Sequence, residues 1–103
     1  MTQSIAILGA SGYTGADLVR LIATHPTMRV VALSGDRKAG MAMAEVFPHL
    51  AHLDLPVLTR IEEIDFSTVD LALFAVDAVT AGEHVPRALA AGCRVVDASD
   101  RFH

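Results

Sequence analysis

The sequence is poor in cysteine and contains no apolar run long enough to cross a bilayer. Cys93 is the one cysteine in 103 residues, which excludes an internal disulfide. The first residues lack the basic start and long apolar stretch of a signal peptide, so we expect a cytoplasmic protein. Because no apolar segment approaches the roughly 20 residues that span a membrane, we expect no membrane partner.

Basic residues are also few, and charged residues of any kind are sparse. The chain has 8 Lys and Arg against 12 Asp and Glu, a net charge of −4, and no basic stripe. This excludes the electrostatic footprint of a nucleic-acid-binding protein and favours small-molecule partners. A hydrophobic content of 52% with only 19% charged residues predicts one folded domain over residues 1–103, with a core that is large for the length.

Five apolar runs predict strands, over residues 5–8, 29–33, 55–59, 71–76 and 93–99. Helical patterns lie between them, which predicts an α/β fold with a doubly wound, Rossmann-like parallel sheet in the strand order 3-2-1-4-5. The sequence stops directly after the fifth strand. We therefore expect a fold that is cut short there and lacks a separate substrate domain, with an uncovered sheet face that favours a homo-oligomer.

The helices carry start and stop signals. Residues 15–25 have apolar side chains at helical spacing, and residues 41–47 fit a short helix that ends before Pro48. Thr80 and Glu83 have the spacing of a capping box before a helix that ends at Gly92. Pro86 lies inside that pattern and is expected to kink the helix, unless regular helix begins only there.

Three glycines at intervals of three residues follow the first strand, in the segment ILGASGYTG. In a strand-turn-helix unit Gly9 permits the tight turn, Gly12 admits a pyrophosphate, and Gly15 permits close packing of helix on strand. Ser11 and Thr14 add hydroxyl donors. A phosphate placed there meets the free N–H groups and positive end of the helix. The alternative is a tight turn without a ligand; a P-loop is excluded because no G-K-[ST] follows.

The end of the second strand bears on which nicotinamide cofactor is bound. An acidic residue there favours NAD, and Asp36 has roughly the required spacing from the glycines. We expect the strand to end at Leu33 or Ser34, which leaves a hydroxyl residue at the critical position. Arg37 and Lys38 follow, and their charges favour the 2′-phosphate of NADP, although both could be solvated turn residues.

Two other groups of residues have a chemical and a structural interpretation. Cys93 could be a nucleophile, but its place at the start of a buried strand favours a core cysteine. His49 and His52, with Asp54 nearby, could bind a metal; a surface loop is favoured because a further ligand and supporting contacts are missing.

Two acids lie near the end of the fifth strand. Asp97 and Asp100 could form an acid-base pair, but we expect them only to end the strand near the binding crevice. Ser99, which lies between them, is the better candidate for a cofactor contact.

Three stretches resemble the N-acetyl-gamma-glutamyl-phosphate reductase family and its aminoadipyl-phosphate relatives. They are GASGYTGADLVRLIATHP, SGDRKAGMAMAEVFPHL and AAGCRVVDAS, and together with their surroundings they cover nearly the whole chain. Aspartate-semialdehyde dehydrogenase is a weaker match. The resemblance implies NADPH-dependent reduction of N-acetyl-gamma-glutamyl phosphate to the semialdehyde in arginine biosynthesis. The pattern and the resemblance together predict these cofactor-binding residues: Gly9, Ser11, Gly12, Tyr13, Thr14, Gly15, Ser34, Arg37, Lys38, Ala75 and Ser99.

The resemblance also implies what this chain lacks. The family attacks its acyl phosphate with a cysteine thiolate, reduces the thioester with hydride and uses a histidine for proton transfer; its nucleophile belongs to a later Gly-Cys motif that is absent here. We expect the 103-residue chain alone to be inactive. The alternatives are a freestanding nucleotide-binding or regulatory module, or a member of the aminoadipyl-phosphate or aspartate-semialdehyde relatives.

The chain departs from the family at two places. It reads Val76-Asp77 where a Pro-His pair is usual, and residues 100–103 differ from the family's continuation. Asp77 would bring a negative charge close to the cofactor, unless it is a helix cap that faces solvent.

Overall fold

Five parallel strands form one sheet in a computed structural model that describes residues 2–35 and 37–98. The strand order is β3-β2-β1-β4-β5, which confirms the predicted order and the doubly wound α/β class. The strands are β1 (Gln3–Leu8), β2 (Met28–Ser34), β3 (Leu58–Thr59), β4 (Leu71–Phe74) and β5 (Arg94–Asp97).

Helical segments connect the strands on both sides of the sheet. The α-helices are α1 (Tyr13–Ala23), α2 (Met43–Val46) and α3 (Ala78–Ala90). Three short 3-10 helices cover Pro48–Leu50, Ile61–Glu63 and Phe66–Thr68. None of the helices within the described ranges has the length and apolar character needed to span a bilayer.

The central strand β1 is buried on both faces because its alternate side chains enter two different cores. Ile5 and Ile7 pack with Val19 of α1 on one face, and Ala6 and Leu8 lie in the cluster on the α3 face. All five side chains are fully buried. Burial of each large aliphatic side chain stabilises the fold by about 1.5–3 kcal/mol, so β1 holds the two layers together.

Among the residues that the structure describes, the rim strand β5 is covered on one face only. Val95 packs in the α3-side cluster, whereas Val96, which pairs with Leu73 in the sheet, is 51% exposed. The face of β5 on the α1 side is therefore uncovered within residues 2–35 and 37–98.

Several predicted boundaries were wrong by a few residues. Helix α1 begins at Tyr13 rather than Gly15, because Gly12 is already its N-cap. Strand β3 has only two residues instead of residues 55–59. Pro56 has no N–H for a ladder, and β3 pairs with β2 only through Leu58 and Thr59. Strands β4 and β5 end at Phe74 and Asp97, before the predicted ends at residues 76 and 99.

The predicted start of α3 also requires correction. Asp77, not Thr80, is the N-cap, and its carboxylate accepts hydrogen bonds from the Thr80 N–H at 2.8 Å and hydroxyl at 3.0 Å. Pro86 lies inside one helix that begins eight residues earlier, at Ala78, so regular helix does not begin there. The carbonyl that loses its N–H partner belongs to Gly82, which is exposed and can be hydrated.

Candidate functional site

The loop between β1 and α1 is held against the ends of β2 and β4. The Gly9 N–H donates to Ser34 Oγ at 2.9 Å, and the Ala10 N–H donates to the Ser34 carbonyl at 2.8 Å. Gly9 has φ +85°, and a Cβ there would overlap the carbonyl oxygen of Ala75. Glycine is therefore required at position 9 by both its conformation and its contact with β4.

Gly12 and Gly15 have different roles in this loop. A Cβ on Gly15 would lie 2.7 Å from Ala10 Cα and would overlap the Gly9 carbonyl, so only glycine allows α1 to approach β1 this closely. Gly12 has φ −88°, and a Cβ there would meet only the Gly9 carbonyl oxygen, at 3.6 Å. The bare backbone at Gly12 is therefore not needed for the turn itself and leaves open space beside the loop.

The N–H groups in the first turn of α1 receive no hydrogen bond acceptor from a capping side chain. No side chain of the described residues caps α1, and no acidic residue lies in its first turn. The first intrahelical hydrogen bond runs from the Ala16 N–H to the Gly12 carbonyl at 2.8 Å. The earlier amides and the helix dipole thus present positive potential, which suits an anionic group such as a phosphate.

A cleft of about 320 Å³ opens beside this loop, above the carboxyl ends of β1, β2 and β4. This is the edge at which open α/β sheets bind ligands, at the point where the strand order reverses between β1 and β4. Five of the residues predicted from the sequence line it: Gly9, Ser11, Gly12, Ser34 and Ala75. The Ser34 hydroxyl already accepts from the Gly9 N–H, and its own proton remains available to donate.

Three predicted residues of the same loop stand outside the lining of this cleft. Tyr13 is 87% exposed, and its ring meets the Phe47 ring edge-on with centroids 6.1 Å apart. Thr14 is exposed on α1, and Gly15 is buried beneath the loop. The amides of all three belong to the first turn of α1, so each can reach a ligand at this end of the helix through its backbone N–H.

The charged candidates for cofactor discrimination lie on the loop after β2. Arg37 and Lys38 are exposed, and neither lines the cleft. Arg60, which directly follows β3, does line it and lies with Nε 3.6 Å from Glu62 Oε1. Asp36 and Ser99 lie outside the described residues.

The opposite wall of the cleft comes from the segment after β3, the loop between β4 and α3, and α3 itself. It consists of Arg60, Ile61, Glu62, Val76, Asp77, Thr80, Glu83 and His84. Sequence reasoning missed most of these as site residues. The signal was present, because the spacing from Asp77 through Thr80 to His84 is that of one helix face.

Asp77 is both a helix cap and a charged residue beside the cleft, the two possibilities that the sequence left open. It caps α3 and is exposed at the cleft wall. The hydrogen bonds from the Thr80 backbone and hydroxyl lower the pKa of Asp77, so its charge is retained at neutral pH. The two hydrogen bonds from Thr80 stabilise this negative charge at the cleft wall.

His84 is the most buried polar side chain of the wall, at 6% exposure. Its Nδ1 lies 2.8 Å from Arg87 Nη1, and its Nε2 lies 3.9 Å from a carboxylate oxygen of Glu62 and 3.9 Å from one of Glu83. Arg87 also donates to backbone carbonyls of the Ile61–Glu63 segment and of Ile64, which ties α3 to that segment.

Cys93 is a core residue, as the sequence favoured. It is 5% exposed, and its Sγ donates to the Phe66 and Val69 carbonyls at 3.1 and 3.2 Å. Burial, with a smaller contribution from the negative charge of Asp70, raises the pKa of the Cys93 thiol. The neutral thiol at physiological pH is a poor nucleophile.

The candidate metal ligands are not grouped into a site among the described residues. Across residues 2–35 and 37–98, no three His, Cys, Asp or Glu side chains are grouped to hold a metal ion. His49 and His52 are exposed, and the His49 ring meets Phe47 edge-on at 5.9 Å. Asp97 ends β5, whereas Asp100 lies outside the described residues.

Comparison with known proteins agrees with this geometry. A family model described as "Semialdehyde dehydrogenase, NAD binding domain" matches residues 4–103. Two curated relatives are named N-acetyl-gamma-glutamyl-phosphate reductase: one from Cereibacter sphaeroides is 68% identical, and one from Ruegeria pomeroyi is 66% identical. Each match covers 99% of this chain and 30% of the relative, so the chain spans less than a third of their length.

A solved structure shares the fold. The aspartate semialdehyde dehydrogenase of Candida albicans, determined with NADP, matches with a TM-score of 0.79 at 24% identity, over 99% of this chain and 31% of that one.

Proposed function

Because this chain belongs to the family of semialdehyde dehydrogenase NAD-binding domains, we propose that its cleft binds NADP(H). The observation that carries the proposal is the loop between β1 and α1. Gly9 and Gly15 bring the backbone close to β4 and β1, Gly12 leaves open space beside it, and the uncapped first turn of α1 lies next to the cleft. A dinucleotide diphosphate fits this combination of bare backbone and unpaired amides.

The preference for NADP over NAD is the finer part of the proposal. Strand β2 ends at Ser34, a small hydroxyl residue that lines the cleft. Positive charge comes from Arg60, which lines the cleft, and from Arg37 and Lys38, which are exposed on the loop that follows β2. An arginine fork binds a 2′-phosphate through two hydrogen bonds, and that phosphate is absent from NAD.

Calorimetric dissociation constants for NADP and NAD at one fixed salt concentration test this preference. We expect tighter binding of NADP, and we expect Arg37→Ala to reduce the preference by about 10-fold. Arg60→Ala is the matched variant, because it removes the same charge from the other side of the cleft. Equal affinities for NADP and NAD in the wild-type chain contradict the preference. Loss of the preference in Arg60→Ala alone would show that the 2′-phosphate binds at the wall that contains Arg60, not at Arg37.

The reaction that we propose for the complete protein is reduction of N-acetyl-gamma-glutamyl phosphate to N-acetylglutamate semialdehyde with NADPH. The names of the 68% and 66% identical relatives support it. The cofactor supplies hydride when bound, and the part of this chain is to bind and orient it through the loop, Ser34 and the cleft wall. Cys93 does not serve as the nucleophile, because it is buried and its thiol is neutral.

An activity assay separates this proposal from that of a binding module without catalysis. We expect the 103-residue chain to bind NADP without turning over acyl phosphate. A longer polypeptide that contains it and carries a Gly-Cys motif is expected to be active. NADP-dependent turnover by the 103-residue chain, lost in Cys93→Ser, would overturn the assignment of Cys93 to the core.

Localisation and assembly complete the proposal. We propose a cytoplasmic location for the protein. Val96, 51% exposed on the uncovered face of β5, supports a homo-oligomer or contact with another part of the protein. Light scattering that shows a stable monomer contradicts the homo-oligomer.

A further inference from the structure

The wall of the cleft formed by α3 holds a buried histidine with one unused hydrogen-bond donor. His84 is 6% exposed, which leaves little room for water to solvate its ring. A buried polar group without a partner costs about 1–3 kcal/mol, so such a group commonly has a function. The inference below rests on the proposed binding of a dinucleotide.

Arg87 determines which nitrogen of His84 carries the proton. The Arg87 Nη1 lies 2.8 Å from His84 Nδ1. A guanidinium has donors only, so Nδ1 must accept and the ring proton is on Nε2. Arg87 is itself held by the Ile61 carbonyl at 3.3 Å and the Ile64 carbonyl at 3.1 Å, and its guanidinium lies 5.1 Å from the centre of the Phe66 ring. The tautomer is therefore set by a well-anchored side chain.

The Nε2–H group faces the cleft. One carboxylate oxygen of Glu62 and one of Glu83 each lie 3.9 Å from Nε2, and both residues line the cleft, whereas Arg87 on the Nδ1 side does not. A separation of 3.9 Å is too long for a hydrogen bond. Within the part of the chain that the structure describes, Nε2–H has no acceptor at bonding distance.

A ligand suited to this wall must present an acceptor next to a donor. The Nε2–H donates, and the two carboxylates, 57% and 66% exposed at the cleft mouth, only accept. Adenine offers this pair on its edge, a ring nitrogen beside the exocyclic 6-amino group, whereas hypoxanthine and guanine present a carbonyl oxygen at position 6. A carbonyl in place of the amine would face a carboxylate.

We propose that His84, Glu62 and Glu83 form a base-reading subsite that selects a 6-aminopurine. His84 Nε2–H donates to a ring nitrogen of the base, and a carboxylate of Glu62 or Glu83 accepts from the 6-amino group. Arg87 is a positioning residue, because it acts on the base only through the His84 tautomer. Selection of the base is thus separate from binding of the diphosphate at the glycine loop.

The test compares NADP with its hypoxanthine analogue, deamino-NADP, by calorimetry. We expect the wild-type protein to bind NADP about 10-fold more tightly, since the analogue loses a hydrogen bond to a charged acceptor. The Glu62→Gln/Glu83→Gln double variant is expected to bind the two within about 2-fold, because an amide can donate to a 6-oxo group as well as accept. Asp54→Asn, which removes a charge at a distant cleft near the start of β2, is the control and should keep the preference.

His84→Gln should weaken NADP binding by about 5-fold or more. If the variant at the buried His84 fails to fold, the double variant at the exposed Glu62 and Glu83 still tests the proposal. Equal wild-type affinities for the two nucleotides, or an undiminished preference in the double variant, would overturn the base-reading subsite while leaving cofactor binding intact. Absence of any NADP binding in the wild-type protein would instead overturn the proposed function.

Discussion

Replacement of Gly15 by alanine tests how closely α1 must approach β1. The new Cβ would lie 2.7 Å from Ala10 Cα, whereas ordinary contact begins at 3.4 Å, so the helix would have to move by at least about 0.7 Å. Overlap with the Gly9 carbonyl adds to this, and neither neighbour can rotate away because both are backbone. Such overpacking costs about 3 kcal/mol, and the helix propensity of alanine returns about 1 kcal/mol. We therefore expect a net loss of about 2 kcal/mol.

Thermal unfolding measured by circular dichroism reports this loss. For a domain of this size, 2 kcal/mol corresponds to a fall in Tm of roughly 8–16 °C. Gly82→Ala is the matched control, because Gly82 is an exposed helical glycine with nothing within 4 Å of its Cβ position. That control should gain about 1 kcal/mol. A Gly15→Ala variant as stable as the wild type, beside a stabilised Gly82→Ala, would show that contact between α1 and β1 does not require glycine.

Three further outcomes follow from individual side chains. Gly12→Val should fold, because its Cβ meets only the Gly9 carbonyl at 3.6 Å. The variant should nevertheless lose nucleotide binding, because the valine side chain fills the space beside the loop. Unchanged affinity by calorimetry would show that the diphosphate does not bind at this position. The Cys93 thiol should react with a thiol reagent only on unfolding, since burial raises its pKa; rapid reaction in the native state would contradict the core assignment. The pKa of Asp77 is lower in the folded state, so its charge stabilises the fold above the usual value of 3.8, and this contribution disappears as the pH falls through the folded-state pKa. The stability difference between wild type and Asp77→Asn should therefore shrink in acid, and a pH-independent difference in denaturant titrations would argue against this cap.

The order of the sheet and the position of its loop were predictable from local patterns. Continuous apolar runs indicate strands buried on both faces, and the change to helical spacing after Gly15 indicates a strand-turn-helix unit. Together these patterns predicted the order 3-2-1-4-5, which the structure confirms. Five of the predicted cofactor residues line one cleft because the topology brings the carboxyl ends of neighbouring parallel strands together.

Element boundaries were less predictable, because hydrogen bonds to distant strands decide them. Strand β3 has two residues rather than five, since pairing with β2 begins only at Leu58. The start of α3 depended on whether Asp77 or Thr80 supplied the cap, and both residue types are compatible with capping in the sequence. Folding placed Asp77 where its carboxylate reaches the Thr80 N–H.

By itself, the sequence determined the fold class, the glycine loop and the burial of Cys93, because these depend on periodicity and on the absence of a side chain at particular positions. Only the tertiary structure decided the far wall of the cleft. Glu62 and His84 are 3.9 Å apart although 22 positions separate them, and the proton on His84 is assigned by its contact with Arg87. Hydrophobic spacing records which face of an element is buried. It does not record which polar side chains of other elements meet that face, because those contacts form only when the layers pack.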